Sequence, residues 1–233
     1  MKFHYTLTLA IVAISTTLLN FIETNHPDMY PELAESIEEI KSKAGENPNE
    51  RKEELDALAE FIQTKIEKGE TAKLTFICTH NSRRSHMSQI WAATAAAEYG
   101  MAEKVETFSG GTEATAFNPR AVKAMKEAGF QIEAKGEENP FYFIQYSDQG
   151  PKIKCWSKVF DDPANPSQAF AAVMTCSQAD EACPIVPGAE ARFSLPYEDP
   201  KVADNTSEEA ERYLERSEQI ATEMFYIFSK IKA

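Results

Sequence analysis

Basic residues are in short supply in this chain. Lys and Arg number 24 against 37 Asp and Glu, a formal net charge of −13. Such a chain lacks the basic face that nucleic acid or an anionic bilayer requires, so no nucleic-acid partner is expected. Any anionic ligand must be held by a local positive site working against the global field. Cysteine is also scarce, with four in 233 residues, too few for a disulfide scaffold. Nine Gly and 12 Pro exclude collagen-like and low-complexity chains. What is present suffices for a core: 42% of residues are hydrophobic and 10% aromatic, which excludes wholesale disorder. A length of 233 residues fits one domain with additions, or at most two small ones.

Phe3 to Ile22 carries no acid and no Lys or Arg, follows Lys2, and contains Ala13-Ile14-Ser15 as a small-x-small site. Residues 1–24 therefore read as an export signal or a short membrane anchor. Two plainer readings stand beside it: an apolar helix packed on the domain, or a mis-assigned start with Met29 as the first working residue. Contact with a membrane is expected only if the segment is an anchor. Residues 29–70 read as a helical extension. One helix runs from Glu32 to Lys43, ended by Gly45 and Asn47-Pro48-Asn49. A second sets Leu55, Leu58, Ala59, Ile62 and Ile66 on one face and closes at Gly69. Both are read as a packing and solubility layer.

From residue 71 to 233 the pattern changes to that of an α/β domain. Leu74 to Cys78 and Ala169 to Thr175 are short apolar runs typical of buried parallel strands. Val105 to Phe108 is a third strand. Helices are expected from Met87 to Tyr99, from Pro119 (capped by Asn118) to Gly129, and from Glu208 to Lys230. The alternation implies a small parallel sheet with helices on both faces. Phe141 to Ser147 and Ile153 to Phe160 flank Asp148-Gln149-Gly150-Pro151 and read as a β-hairpin insertion. His86, Trp91, Phe141, Phe143 and Phe160 read as helix or core residues, and Cys155 as a buried or hairpin-face thiol without an assigned role.

The first apolar run ends in Cys78-Thr79-His80-Asn81-Ser82-Arg83-Arg84-Ser85. Loops at the carboxyl ends of parallel strands carry ligands, and the following helix points its free N–H groups and positive dipole end at the loop. Five residues between Cys78 and Arg84 can curl so that their amides converge on one tetrahedral anion. Arg84 can then close the ring with a bidentate grip. The same field favours a thiolate at Cys78, and a thiolate beneath a tetrahedral oxyanion is a positioned nucleophile. Ser85 can donate to its sulfur. Asn81 can brace the loop and tolerates left-handed backbone.

With these residues in view, the sequence from Lys73 to the C-terminus resembles the low-molecular-weight protein tyrosine phosphatase superfamily, which also contains the thioredoxin-coupled arsenate reductases. Tyr197-Glu198-Asp199-Pro200 is similar to the family loop that supplies a general acid, which places Asp199 in that role. A second Asp-Pro pair, Asp162-Pro163, exists, but only Asp199 precedes the last helix. Met174 to Pro184 resembles the redox segment of the arsenate reductases, with Cys176 and Cys183 bracketing a short acidic turn. The resemblance implies that Cys78 attacks arsenate, that Cys176 then attacks Cys78 and expels arsenite, and that Cys183 passes the disulfide outward to thioredoxin. A helical Cys176–Cys183 segment would hold its ends about 10 Å apart, beyond the roughly 7 Å a disulfide tolerates, so the segment must unwind on oxidation. Two buried structural cysteines are the plain alternative. A zinc site is disfavoured because neither Cys155 nor any of the four His stands at a paired ligand spacing.

His80 stands where the family usually has Gly, and Arg83 where it often has a second Cys. The His can narrow the pocket or add a donor to the anion, and Arg83 reads as a solvated rim charge. Lys201 and Val202 replace the aromatic residues that follow the Asp-Pro pair in the tyrosine phosphatases. Some arsenate reductases bind potassium near the loop through an acidic residue, and Gln89 occupies that position here. No bound cofactor is expected. Three functions follow from the resemblance. The first is arsenate reduction by Cys78, Cys176 and Cys183 with an external thiol reductant. The second is phosphomonoester or phosphotyrosyl hydrolysis through a phosphocysteine. The third is a sensor that only binds an oxyanion or a phosphoprotein. Thiol chemistry points to a reducing cytoplasm, whereas residues 1–24 point to export.

Overall fold

The computed structural model of the chain describes residues 28–232. The apolar stretch 1–24 lies outside them, and among the described residues no helix is long and apolar enough to cross a membrane. Two strands set the frame. β1 (Ala72–Cys78) is buried at every residue but Lys73, and β6 (Phe170–Met174) at every residue, as parallel strands covered on both faces must be. They pair in parallel from Leu74 opposite Ala171 to Ile77 opposite Met174. β2 (Val105–Gly111) lies along the other side of β1, with Cys78 opposite Gly111. β7 (Ala189–Ser194) continues the sheet beyond β6, giving the order β2-β1-β6-β7. The chain leaves β1 toward one edge and returns to β6 on the other side. The carboxyl ends of β1 and β6 therefore flank the switch point where open α/β sheets bind ligands.

The two faces of the sheet are covered unequally. Leu74 and Phe76 of β1 and Ala171 and Val173 of β6 join a main core built by five helices. These are α1 (Pro31–Lys43), α2 (Asn49–Glu67), α3 (Arg84–Glu98), α4 (Pro119–Glu127) and α6 (Glu209–Ser229). The opposite face holds a smaller cluster of Ile77, Cys78, Phe170, Ala172, Met174, Cys176, Ala179 and Val186. Its one helix is the six-residue α5 (Ser177–Ala182). The extension α1–α2 packs into the domain. Leu33, Ile37, Leu55, Leu58 and Ile62 are at most 2% exposed and belong to the main core. Gly129 ends α4 at φ 100°, where a Cβ would stand 2.3 Å from the Leu33 nitrogen, so α1 seats directly on that turn.

The insertion is larger than a hairpin. β4 (Phe141–Gln145) and β5 (Ile153–Cys155) pair antiparallel, and β3 (Gln131–Lys135) adds a third strand on the far side of β4. β3 and β7 escape the sequence pattern because both are edge strands whose side chains are half-buried or exposed, with no apolar run to mark them. Phe141 is not core: it is 40% exposed and stacks edge-on against Trp156 at 5.3 Å. Trp91 is buried and donates its indole N–H to Ser217 Oγ at 3.0 Å, tying α3 to α6.

Candidate active site

β1 delivers Cys78 to the switch point, and α3 begins six residues later at Arg84. The loop between them is fastened from outside. Beyond Gly111 at the neighbouring strand end, Thr112 N–H donates to Cys78 O at 3.1 Å and Glu113 N–H to Thr79 O at 2.8 Å. A Cβ at Gly111 would stand 2.2 Å from Glu113 O and 2.7 Å from Asn81 N, so only glycine permits this approach. Asn81 adopts φ 43°, in the left-handed region. Its Oδ1 accepts the Lys158 backbone N–H at 2.9 Å, which fixes the amide's orientation. Its Nδ2 then donates to Ser85 Oγ at 2.8 Å. Ser85 accepts that bond and keeps its own hydrogen available for Cys78 Sγ, 3.1 Å away. Among the described residues, no protein group accepts the backbone N–H groups of residues 80–85, and these lie at the amino end of α3, where negative charge is favoured.

Arg84 is 6% exposed and closes the loop from the other side. Its Nη1 donates to Tyr197 O at 3.0 Å and its Nη2 to Asp199 Oδ2 at 2.8 Å. Its Nε is buried with no hydrogen-bond partner, a donor left uncommitted in a protein interior where such groups are normally paired. Asp199 opens a short turn, accepting from Lys201 N–H at 3.1 Å. Ser82 Oγ is committed to Ala116 O at 2.8 Å, so what Ser82 offers the loop is its amide.

Of the two rim residues, Arg83 differs from its sequence reading. Arg83 is not a solvated charge: its side chain is 12% exposed. It donates from Nε to Tyr213 OH at 2.7 Å and from Nη2 to Asp204 at 3.5 Å, with Asp199 Oδ1 at 4.0 Å. The His80 side chain is 47% exposed and stands 3.6 Å from Glu113, while its carbonyl accepts from Ser157 Oγ at 3.0 Å. Both depend on partners distant in sequence.

Cys176 follows the end of β6, and Thr79 Oγ1 lies 3.4 Å from its sulfur, which places it beside the residue next to Cys78. It caps α5, accepting from Ala179 N–H at 3.4 Å. Cys183 ends α5, is half-buried and packs against the cluster that holds Cys78 and Cys176, and all three are free thiols. A clamp that the sequence did not suggest holds α5. Arg192 and Ser194 of β7 both bond the Asp180 carboxylate, Ser194 Oγ at 2.7 Å, and Arg192 Nε also donates to Cys183 O at 3.1 Å.

The remaining polar groups nearby are structural. Gln89 spends its amide on Thr107 O at 3.1 Å and accepts from Cys155 Sγ at 3.5 Å, so it does not fit a cation site. Among the described residues, no group of three His, Cys, Asp or Glu can hold a metal ion. Burial pushes the Cys155 thiol up to about 12. Burial, with Lys158 nearby, holds the His86 imidazole well below its ordinary 6.5. It is the neutral partner of Ser109 Oγ at 3.1 Å, with its ring 4.2 Å from that of Phe117.

This geometry can be set beside known proteins. The model of the low molecular weight phosphotyrosine protein phosphatase family matches residues 73–140. The arsenate reductase of Bacillus licheniformis is 31% identical over 141 residues, covering 60% of this chain and 83% of that protein. The arsenate reductase of Bacillus subtilis strain 168 is 33% identical over 141 residues with the same coverage. A solved low molecular weight protein tyrosine phosphatase from T. tengcongensis superimposes with a TM-score of 0.49 at 18% identity, over 69% of this chain and 100% of that one. From the extent and identity of the sequence matches, the chain belongs to the low-molecular-weight protein tyrosine phosphatase superfamily, in the company of its arsenate reductases.

Proposed function

We propose that this protein reduces arsenate to arsenite through Cys78, Cys176 and Cys183. The backbone amides of residues 79–85 and Arg84 bind the oxyanion above Cys78, with Asp199 as the acid for the leaving oxygen. The Cys78 thiolate bonds to arsenic(V) and displaces one oxygen as water. Cys176 thiolate then attacks Cys78 Sγ. The Cys78–Cys176 disulfide forms, the electron pair of the broken S–As bond stays on arsenic, and arsenite leaves. Cys183 thiolate attacks Cys176 Sγ, releasing Cys78 as thiolate and leaving a Cys176–Cys183 disulfide for an external dithiol such as thioredoxin to reduce. The observation that carries this reading is the seat of Cys176: its sulfur is 3.4 Å from Thr79 Oγ1, on the strand end adjoining Cys78. Hydrolysis of a phosphoester has no use for a thiol there. The relay needs a reducing compartment, so we assign it to the cytoplasm.

A phosphatase reading needs only Cys78, Arg84 and Asp199. Against a phosphotyrosyl substrate, the residues after Asp199-Pro200 are Lys201 and Val202, the latter 81% exposed, with no aromatic wall for the substrate ring. The test compares wild type, Cys176→Ser and Cys183→Ser for arsenate-dependent NADPH oxidation with thioredoxin and its reductase, and for phosphomonoester hydrolysis. Reductase turnover that is lost in both variants supports the relay. Hydrolysis without arsenate reduction in the wild type assigns the phosphatase. Phosphate binding without either activity assigns the sensor.

A further inference from the structure

The site also rests on a buried carboxylate that the family loop does not contain. Glu223 of α6 is 1% exposed. Arg51 of α2 grips it with two bonds, Nε to Oε1 at 3.0 Å and Nη2 to Oε2 at 2.7 Å. Tyr197 OH donates to the same Oε2 at 2.8 Å, and the Arg51 guanidinium lies 5.1 Å from the centre of the Tyr197 ring. The carbonyl of Tyr197 accepts Arg84 Nη1, and Asp199, two residues on, accepts Arg84 Nη2. Removing the Arg51 guanidinium leaves the Glu223 charge buried without its counter-ion, so the carboxylate and the tyrosine bound to it must rearrange.

We infer that Arg51 is a positioning residue for the oxyanion site, holding the Tyr197 carbonyl through Glu223 so that Arg84 stays aimed at the anion. Arg51 lies in α2, outside the family match over residues 73–140. The helical extension thereby contributes to the site as well as to the core. Such a bidentate grip is specific to arginine, because lysine supplies the charge without the fork. The inference rests on the reading of Arg84 as a ligand of the oxyanion.

The test uses the full chain with inorganic phosphate as the probe. The phosphate concentration that half-protects Cys78 from iodoacetamide is read by peptide mass spectrometry, alongside thermal melting. Arg51→Met should raise that concentration by about tenfold, the scale of one lost charge-assisted hydrogen bond. Arg51→Lys should recover part of the loss. Leu33→Ala, a fully buried core change in α1, should lower the melting temperature and leave phosphate protection unchanged. If Arg51→Met does not fold, Tyr197→Phe decides, since it removes one bond to Glu223 and keeps the ion pair, and it must shift protection in the same direction. Protection unchanged within about twofold in folded Arg51→Met, or an equal shift in Leu33→Ala, overturns the inference. Absence of protection in the wild type instead strikes the oxyanion reading itself, and this inference falls with it.

Discussion

Removing the Asp180 carboxylate should make the Cys176–Cys183 disulfide harder to reduce. In the structure the two cysteines bracket α5, and seven helical steps separate their Cα atoms by about 10 Å, while a disulfide needs less than about 7 Å. Oxidation therefore requires α5 to unwind, and whatever stabilises the helix stabilises the reduced protein over the oxidised one. Six residues are too few to form a helix unaided. The Asp180 carboxylate anchors this one through Ser194 Oγ at 2.7 Å and through Arg192. The Asp180 and Arg192 side chains are 25% and 28% exposed, which discounts the pair, but a partly buried carboxylate with two donors still contributes roughly 2 kcal/mol. For a two-electron couple that is about 40 mV. The sign follows from which state loses: Asp180→Ala destabilises the reduced form, so the potential becomes more negative. Equilibration in mixtures of reduced and oxidised dithiothreitol, acid quenching and mass counting of free thiols gives the number. Glu181→Ala, an exposed charge on the same helix, controls for electrostatics and should shift little. A change under about 10 mV, or a shift to less negative potential, would refute the premise that the clamp holds the reduced state.

Three further outcomes are expected. The unfolded chain protonates a histidine near its ordinary 6.5 while buried His86 stays neutral. Stability should therefore be full above that pH and fall below it by up to about 1.4 kcal/mol per pH unit. Urea titrations at descending pH should show that slope, and His86→Gln should remove its share. Burial that pushes the Cys155 thiol up to about 12 should leave it unmodified by iodoacetamide in the native protein, whereas half-buried Cys183 reacts; native alkylation of Cys155 contradicts this. Gly111→Ala puts a methyl group 2.2 Å from Glu113 O and 2.8 Å from Thr79 O. It should abolish phosphate protection of Cys78 while far-ultraviolet circular dichroism stays native; retained protection would show that the loop tolerates the displacement.

How much of this was readable beforehand depended on whether the signal was contiguous. The apolar runs of β1 and β6, the Asn118-Pro119 start of α4 and the long face of α6 announce themselves because burial leaves a local pattern. β3 and β7 are half-covered edge strands and leave none. The turn from Cys78 to Ser85 was readable as a loop from strand end to helix start because strand, loop and helix follow one another in the chain. Its bracing was not readable, because it comes from Lys158, Gly111, Tyr197 and Tyr213, each brought in by tertiary packing. The same reason misassigned Arg83 as a surface charge, since Tyr213 and Asp204, which bury it, lie 130 and 121 positions away. The periodicity of α2 correctly marked an apolar face on Leu55, Leu58 and Ile62, but periodicity says nothing of Arg51, whose partner Glu223 is 172 positions distant.

The unequal covering of the sheet gives these pieces a common logic. Anion binding demands groups held within a few tenths of an ångström. Arg84 and the carbonyl that orients it sit against the face backed by five helices and, through Glu223 and Arg51, by the extension as well. Thiol relay demands the opposite, a segment that lets go of its hydrogen bonds. Cys176 and Cys183 sit on the face whose one helix is α5, Cys176 within its cluster of eight buried residues and Cys183 packed against it. Releasing α5 exposes only that cluster and leaves the main core intact, so the opening stays local and low in free energy. A second layer of helix packed over α5 would leave the oxyanion loop unchanged and raise the cost of every oxidation. In this fold, the thin cover on one face is therefore as much a requirement of a relay as the thick cover on the other is of binding.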